Sequence, residues 1–235
     1  MTSSVATAQL TLPDPPVTSR RDMLLVTGSV VVPLVGMQAL RGATGTAFNP
    51  LYFSDARLWT LFAFQVVVAC VWLPRLHRRG WTMQVMTQSY QWWDIPRGVA
   101  LLLGAYVAAV VATLLVRLLS MPMAARMDDL HPAGSVSWLA LMGALLLNPV
   151  FEESLYLGYL ANALRRSGWT GALFVSVAVR VLVHLYQGPL AFVFILPLGV
   201  LFSIYYLRTG RLWPVVFAHI VMDALPLASL AHGII

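Results

Sequence analysis

The stretch Phe151-Glu152-Glu153-Ser154-Leu155-Tyr156-Leu157-Gly158-Tyr159-Leu160 sets two adjacent carboxylates inside an apolar run. These are the chain's only two glutamates, and Val136 to Phe151 ahead of them holds no charged residue. A carboxylate in hydrocarbon is expensive, and two neighbours there mark a place where function sets the sequence. On a helix adjacent side chains point about 100° apart, so the pair cannot share one role. One can face a cavity while the other is tied to a neighbouring helix. Pro149, which cannot donate a backbone hydrogen bond to Leu145, predicts a kink or unwound turn beside them.

Working outward, the whole chain has this apolar character. Hydrophobic residues make up 59% of it and charged ones 10%, against about 25% charged in a soluble domain; mean hydropathy is +0.78. The composition predicts an all-α, polytopic transmembrane bundle. Runs long enough to cross about 30 Å of hydrocarbon fall at roughly 23–40, 58–74, 98–119, 136–163, 169–187, 189–207 and 212–231, which makes seven spans. Residues 1–22, rich in Pro, Ser and Thr, read as a disordered cytosolic tail. Residues 23–135 read as N-terminal membrane helices, and 136–231 as the helical core that holds the glutamates. Within 75–97, Trp81, Tyr90, Trp92 and Trp93 alternate with polar residues and predict a segment lying in the membrane interface. Cys70, alone and inside an apolar run, excludes an intramolecular disulfide and reads as a small core residue.

The net charge of +6 comes from 15 arginines and no lysine. They sit in short connections rather than on one basic face, which excludes a nucleic-acid partner. With the N-terminus in the cytosol, the inner connections carry ten (Arg20, Arg21, Arg75, Arg78, Arg79, Arg97, Arg165, Arg166, Arg208 and Arg211). The outer ones carry four: Arg41, Arg57, Arg117 and Arg126. Asp128 and Asp129 also fall outside. The positive-inside rule therefore predicts a cytosolic N-terminus. Arginine-only basicity suggests a GC-rich bacterial genome, hence a bacterial plasma membrane.

Few ionisable groups lie inside the last four spans: Glu152, Glu153, Arg180, His184, His219 and Asp223. Counted from the cytosolic helix ends, Glu152 lies about 20 Å deep, His184 about 24 Å, and His219 and Asp223 about 12 and 18 Å. Three helices thus bring polar groups to overlapping depths. Arg180 and His184 share a helix face, as do His219 and Asp223. One intramembrane histidine alone is most often a packing residue, but the joint set points to a site. His77, His131 and His232 lie in connections or at the end of the chain and receive no role. Two histidines and a carboxylate can also hold zinc tetrahedrally with one position left for water, so a divalent metal competes with metal-free chemistry. Proton relays in transporters use the same residue types, yet seven spans without an internal repeat do not suit that class.

Three motifs in order resemble the CPBP intramembrane proteases, the CAAX-protease and bacteriocin-processing (Abi) family. Glu152-Glu153 with Leu157-Gly158 is similar to the first motif, a glutamate pair, three residues, then Arg and Gly. Arg180 to His184 corresponds to the second, an aromatic residue with His four later. His219 to Asp223 corresponds to the third, His with Asn or Asp four later. The resemblance covers about 136–231. It implies an endopeptidase that hydrolyses peptide bonds of a membrane-associated peptide or protein with activated water. Glu152 would then be general base, His184 would hold and polarise the water, His219 would stabilise the oxyanion and Asp223 would orient His219. The family is described both as metalloproteases and as glutamic endopeptidases. Leu157 stands in place of the motif arginine, and Arg180 in place of the aromatic. Together they predict a compensating swap in which Arg180 supplies from the next helix the cation that Glu153 needs. A non-catalytic immunity or partner-binding protein on the same fold is the alternative that Leu157 favours.

Overall fold

In hydrocarbon an apolar segment must close its own backbone hydrogen bonds, and these sequences do so as helices. A computed structural model describes residues 12–43, 54–119, 137–185 and 191–231, with no strand among them. Residues 1–11, Arg126, Asp128, Asp129, His131 and His232 lie outside the described residues. The helices are α1 Arg20–Ala43, α2 Asp55–Arg78, α3 Met83–Met86, α4 Asp94–Leu118, α5 Trp138–Glu153, α6 Trp169–Val183, α7 Leu196–Thr209 and α8 Trp213–Ala231. Spans Arg20–Leu40, Asp55–Arg78, Asp94–Leu118 and Ala191–Thr209 are long and apolar enough to cross a membrane; Trp169–Val183 and Trp213–Ala224 are shorter apolar helices. The chain is a polytopic helical bundle.

Local chemistry sets the helix starts. Ser54 accepts from the Arg57 N–H and caps α2, and Ser137 accepts from the Ala140 N–H and caps α5. The Ser137 N–H in turn donates to Asp55 at 2.7 Å, joining the starts of α2 and α5 at one end of the bundle. α5 runs through Pro149 and ends at the glutamate pair, where Ser154–Ala161 continue it as a π-helix. The irregular turn expected near Pro149 thus lies after the carboxylates. A π segment leaves wider turns and re-aims the side chains that flank it.

The opposite end of the bundle gathers arginines. Arg79 pairs with Asp22, Arg166 with Asp14 at 3.8 Å, and Arg211 reaches both oxygens of the buried Asp94 at 2.7 and 2.9 Å. The last pair ties the start of α4 to the start of α8. Gln88 donates to the Thr209 carbonyl at 2.8 Å, and Tyr206 Oη donates to that of Met86, which fastens α3 to the α7–α8 connection.

Three sequence expectations differ here. Residues 12–19 are docked, not disordered. Leu12 and Pro15 are buried, and Arg165 donates to the carbonyls of Leu12 and Pro13. An extended, proline-rich backbone leaves its carbonyls unsatisfied, and an arginine at the bundle end supplies the donors. Gly210, at φ +66°, makes the room, because a Cβ there would stand 2.6 Å from Leu12 Cγ. Trp81 leaves the exposed group of Tyr90, Trp92 and Trp93: it is buried edge-on against Tyr159 and donates to Thr18. Cys70 is exposed on α2 rather than in the core.

α8 packs extensively on α4, α2 on α5, and α6 on both α7 and the π segment. Val67, Leu103, Val107, Leu114 and Phe174 turn outward, the reverse of a water-soluble surface and the pattern of a bundle in lipid. The α4–α8 contact depends on Gly98, where a Cβ would meet Phe217 Cδ1 at 2.6 Å and the Pro214 carbonyl at 2.9 Å. That carbonyl is backbone and cannot turn aside. Gly98→Ala is expected to destabilise the fold by about 1–3 kcal/mol, read as a lower unfolding midpoint in detergent. Gly171→Ala on α6, with nothing within 4 Å of its Cβ, serves as the neutral control.

Candidate active site

Glu153 is the centre of the buried polar set, and its side chain is 0% exposed. Both of its oxygens are engaged by Arg180 of α6: Nη1 donates to Oε1 at 2.8 Å and Nη2 to Oε2 at 2.5 Å. The two-point geometry matches a guanidinium fork to a carboxylate. Aromatic faces surround the cation, with Tyr156 at 4.8 Å and Phe202 at 5.9 Å from Arg180 Cζ. Gly199 on α7 leaves the space for its stem, since a Cβ there would lie 3.1 Å from Arg180 Cδ. Leu157 is fully buried one turn beyond Glu153. The cation that the motif would place there arrives from α6 instead.

His219 on α8 closes the other side. Its Nδ1 lies 2.6 Å from Glu153 Oε1. A carboxylate held by a guanidinium accepts only, so Nδ1 is the donor. Nε2 then faces Asp223, whose Oδ2 lies 3.6 Å away, one turn along α8. The Asp223 side chain is 35% exposed. It lies within electrostatic reach of Glu152 and His184, and Asn148 stands close enough to act on its carboxyl group.

His184 follows the last residue of α6, and its Nδ1 lies 2.8 Å from the Arg180 carbonyl. A carbonyl has no proton to give, so Nδ1 holds one and any chemistry runs through Nε2. Arg180 thereby sets two groups at once, Glu153 through its side chain and His184 through its backbone.

Glu152 is treated differently from its neighbour. It is buried, yet its Oε2 makes no hydrogen bond to the protein. Its charge is felt at Arg180, His219 and Asp223, which places it within electrostatic reach of all three. The structure thus brings Glu152, Glu153, Arg180, His219 and Asp223 together, with His184 joined through Arg180 and Asp223.

Two members of the polar set were missed in the sequence. Gln65 on α2, buried, donates to Asn148 Oδ1 on α5 at 2.6 Å. Both carried a signal: Gln65 is the only amide in the run 58–74, and Asn148 stands four residues before Glu152 on one helix face. A series of polar groups therefore runs across the bundle from Gln65 through Asn148, Asp223, His219 and Glu153 to Arg180.

The donor set does not fit a bound metal. No three His, Cys, Asp or Glu side chains among the described residues are arranged to hold one. Glu153, the carboxylate against His219, has both oxygens on a guanidinium.

Removing the cation alone strands a buried carboxylate, a loss of about 3–5 kcal/mol. Arg180→Leu is therefore expected to unfold at a clearly lower temperature in detergent. Adding Leu157→Arg should recover much of the loss by returning the cation to the π segment. A double variant no better than the single one would show that the two positions do not exchange.

Residues 134–225 match the family model described as type II CAAX prenyl endopeptidase Rce1-like. No curated protein and no solved structure matches the chain. The matched segment contains both glutamates, Arg180, both intramembrane histidines and Asp223. Residues 134–225 are thus similar to a family of CAAX-type endopeptidases, consistent with the CPBP family that the three motifs resemble.

Proposed function

We propose that this chain is an intramembrane endopeptidase that cleaves a membrane-associated peptide or protein with water as nucleophile. The observation that carries the reading is the division between the adjacent glutamates. Glu153 is consumed by Arg180 and His219, while Glu152, also buried, keeps an oxygen without a protein partner. A structural ion pair needs one carboxylate. The second has no packing role that a glutamine or leucine would not fill at lower cost.

In the proposed reaction Glu152 removes a proton from water as its oxygen attacks the peptide carbonyl carbon. His184 Nε2 holds that water. The carbonyl oxygen becomes an oxyanion, to which His219 Nε2–H donates. A ring with both protons is a cation, and Glu153 and Asp223 stand on either side to balance it. Glu152 then passes its proton to the leaving amine as the C–N bond breaks. Each group ends as it began.

The non-catalytic alternative drew its support from Leu157. The Arg180–Glu153 bond supports the catalytic reading, because the motif's charge balance is kept with the cation moved to α6. The family description names prenylated CAAX tails; for this chain we propose the wider class, a membrane-associated peptide. The arginine-bearing bundle end is assigned to the cytosol of a bacterial plasma membrane by the arginine count.

Glu152→Gln should leave the unfolding midpoint nearly unchanged and abolish cleavage, lowering the rate by about 10²-fold or more. Peptidomics of membranes carrying either form reads the outcome. A fully active Gln variant would remove Glu152 from the role of base.

A further inference from the structure

A tetrahedral oxyanion is best held by more than one positioned donor, and the groups named so far supply few. As a carboxylate paired with His219, Asp223 would only accept. Arg180 spends both terminal nitrogens on Glu153. From the polar chain that crosses the bundle, we propose that Asn148 is a catalytic residue whose side-chain amide donates to the oxyanion, with Gln65 as the positioning residue that fixes its orientation. This inference rests on the endopeptidase reading.

The argument starts at Gln65. Its Nε2 donates to Asn148 Oδ1 at 2.6 Å. With the carbonyl side of the Asn148 amide held by α2, its Nδ2 points the other way. There it faces the Asp223 carboxyl group, on which Asn148 acts. Nδ2 carries two hydrogens. One can serve Asp223, and the second is then available to an oxyanion beside Glu152. Asn148 and Glu152 are one turn apart on α5, and Asp223 and His219 are one turn apart on α8. The amide therefore stands one turn from the base on the same face of α5. Asn148 is only partly buried, unlike Gln65, whose side chain is enclosed.

A purely structural role is the competing account, since amides commonly bridge membrane helices. The two separate on rescue. A structural bridge between α2 and α5 is not rebuilt by changing α8, whereas Asp223→Asn places an amide donor against the same histidine.

The test reconstitutes the full chain with a detergent extract of membrane proteins in liposomes. It reads the initial rate of new peptide N-termini that are absent with Glu152→Gln. Asn148→Leu should slow that rate by about 10²-fold with little change in unfolding midpoint. Gln65→Met, which leaves the amide present but untethered, should slow it by about tenfold. Asp223→Asn added to Asn148→Leu should recover at least about a tenfold share of the loss. A wild-type rate for Asn148→Leu, or no recovery in the double variant, overturns the donor role. If Asn148→Leu does not fold, an unchanged rate in Gln65→Met overturns it. No Glu152-dependent cleavage by the wild-type chain overturns the endopeptidase reading, and this inference with it.

Discussion

The bond between Arg180 and Glu153 is the constraint around which the rest of the site is arranged. Both groups are almost wholly removed from solvent, at 1% and 0% exposure. Neither charge is tolerable there without the other. Because the pair is bidentate, it fixes the rotation of α6 against the end of α5 as well as their distance. His184 follows from that rotation, since its ring hangs on the Arg180 carbonyl. His219 follows too, because its Nδ1 takes the lone pair of Glu153 that the guanidinium leaves. Gly199 and the faces of Tyr156 and Phe202 then read as the shell that lets a large cation sit among helices.

Why the carboxylates are adjacent becomes clear from this arrangement. Side chains about 100° apart on one helix meet different neighbours, so a single turn of α5 can anchor one helix and serve a cavity at once. The π segment that starts at Ser154 supports the same division. Its wider turns let Tyr156 lie under the arginine and let Leu157 pack with no charge to satisfy. A regular α-helix through this region would keep a strict one-turn relation between Glu153 and Leu157.

Much of this was legible in the sequence because hydrocarbon makes polar residues informative. Six ionisable groups in four spans leave few pairings for Glu153, and the family resemblance adds that Leu157 stands where the motif has its arginine. The helical runs were readable for the same reason. Amides gave a weaker signal: Gln65 and Asn148 carry no charge, so neither stands out until their 2.6 Å bond is seen. The docking of residues 12–19 was hidden for another reason. Its partners Arg165, Gly210 and Trp81 are far along the chain, and a Pro-rich composition resembles a tail until something binds its carbonyls. Trp81 misled in the same way, because an aromatic among polar residues looks interfacial whether or not Thr18 and Tyr159 enclose it.

The polar chain from Gln65 to Arg180 also says why the N-terminal helices belong to the site although the family resemblance stops short of them. α2 packs along α5 and delivers one buried amide to it. α4 grips α8 through Gly98 at one point and through Asp94 and Arg211 at another. Those contacts hold the helix that carries His219 and Asp223 at a fixed height. A catalytic group must be placed to within a fraction of an ångström to be useful. Two matched carboxylates and two histidines on α5, α6 and α8 do not achieve that alone. The helices that bring no ionisable group to the centre set where the centre lies.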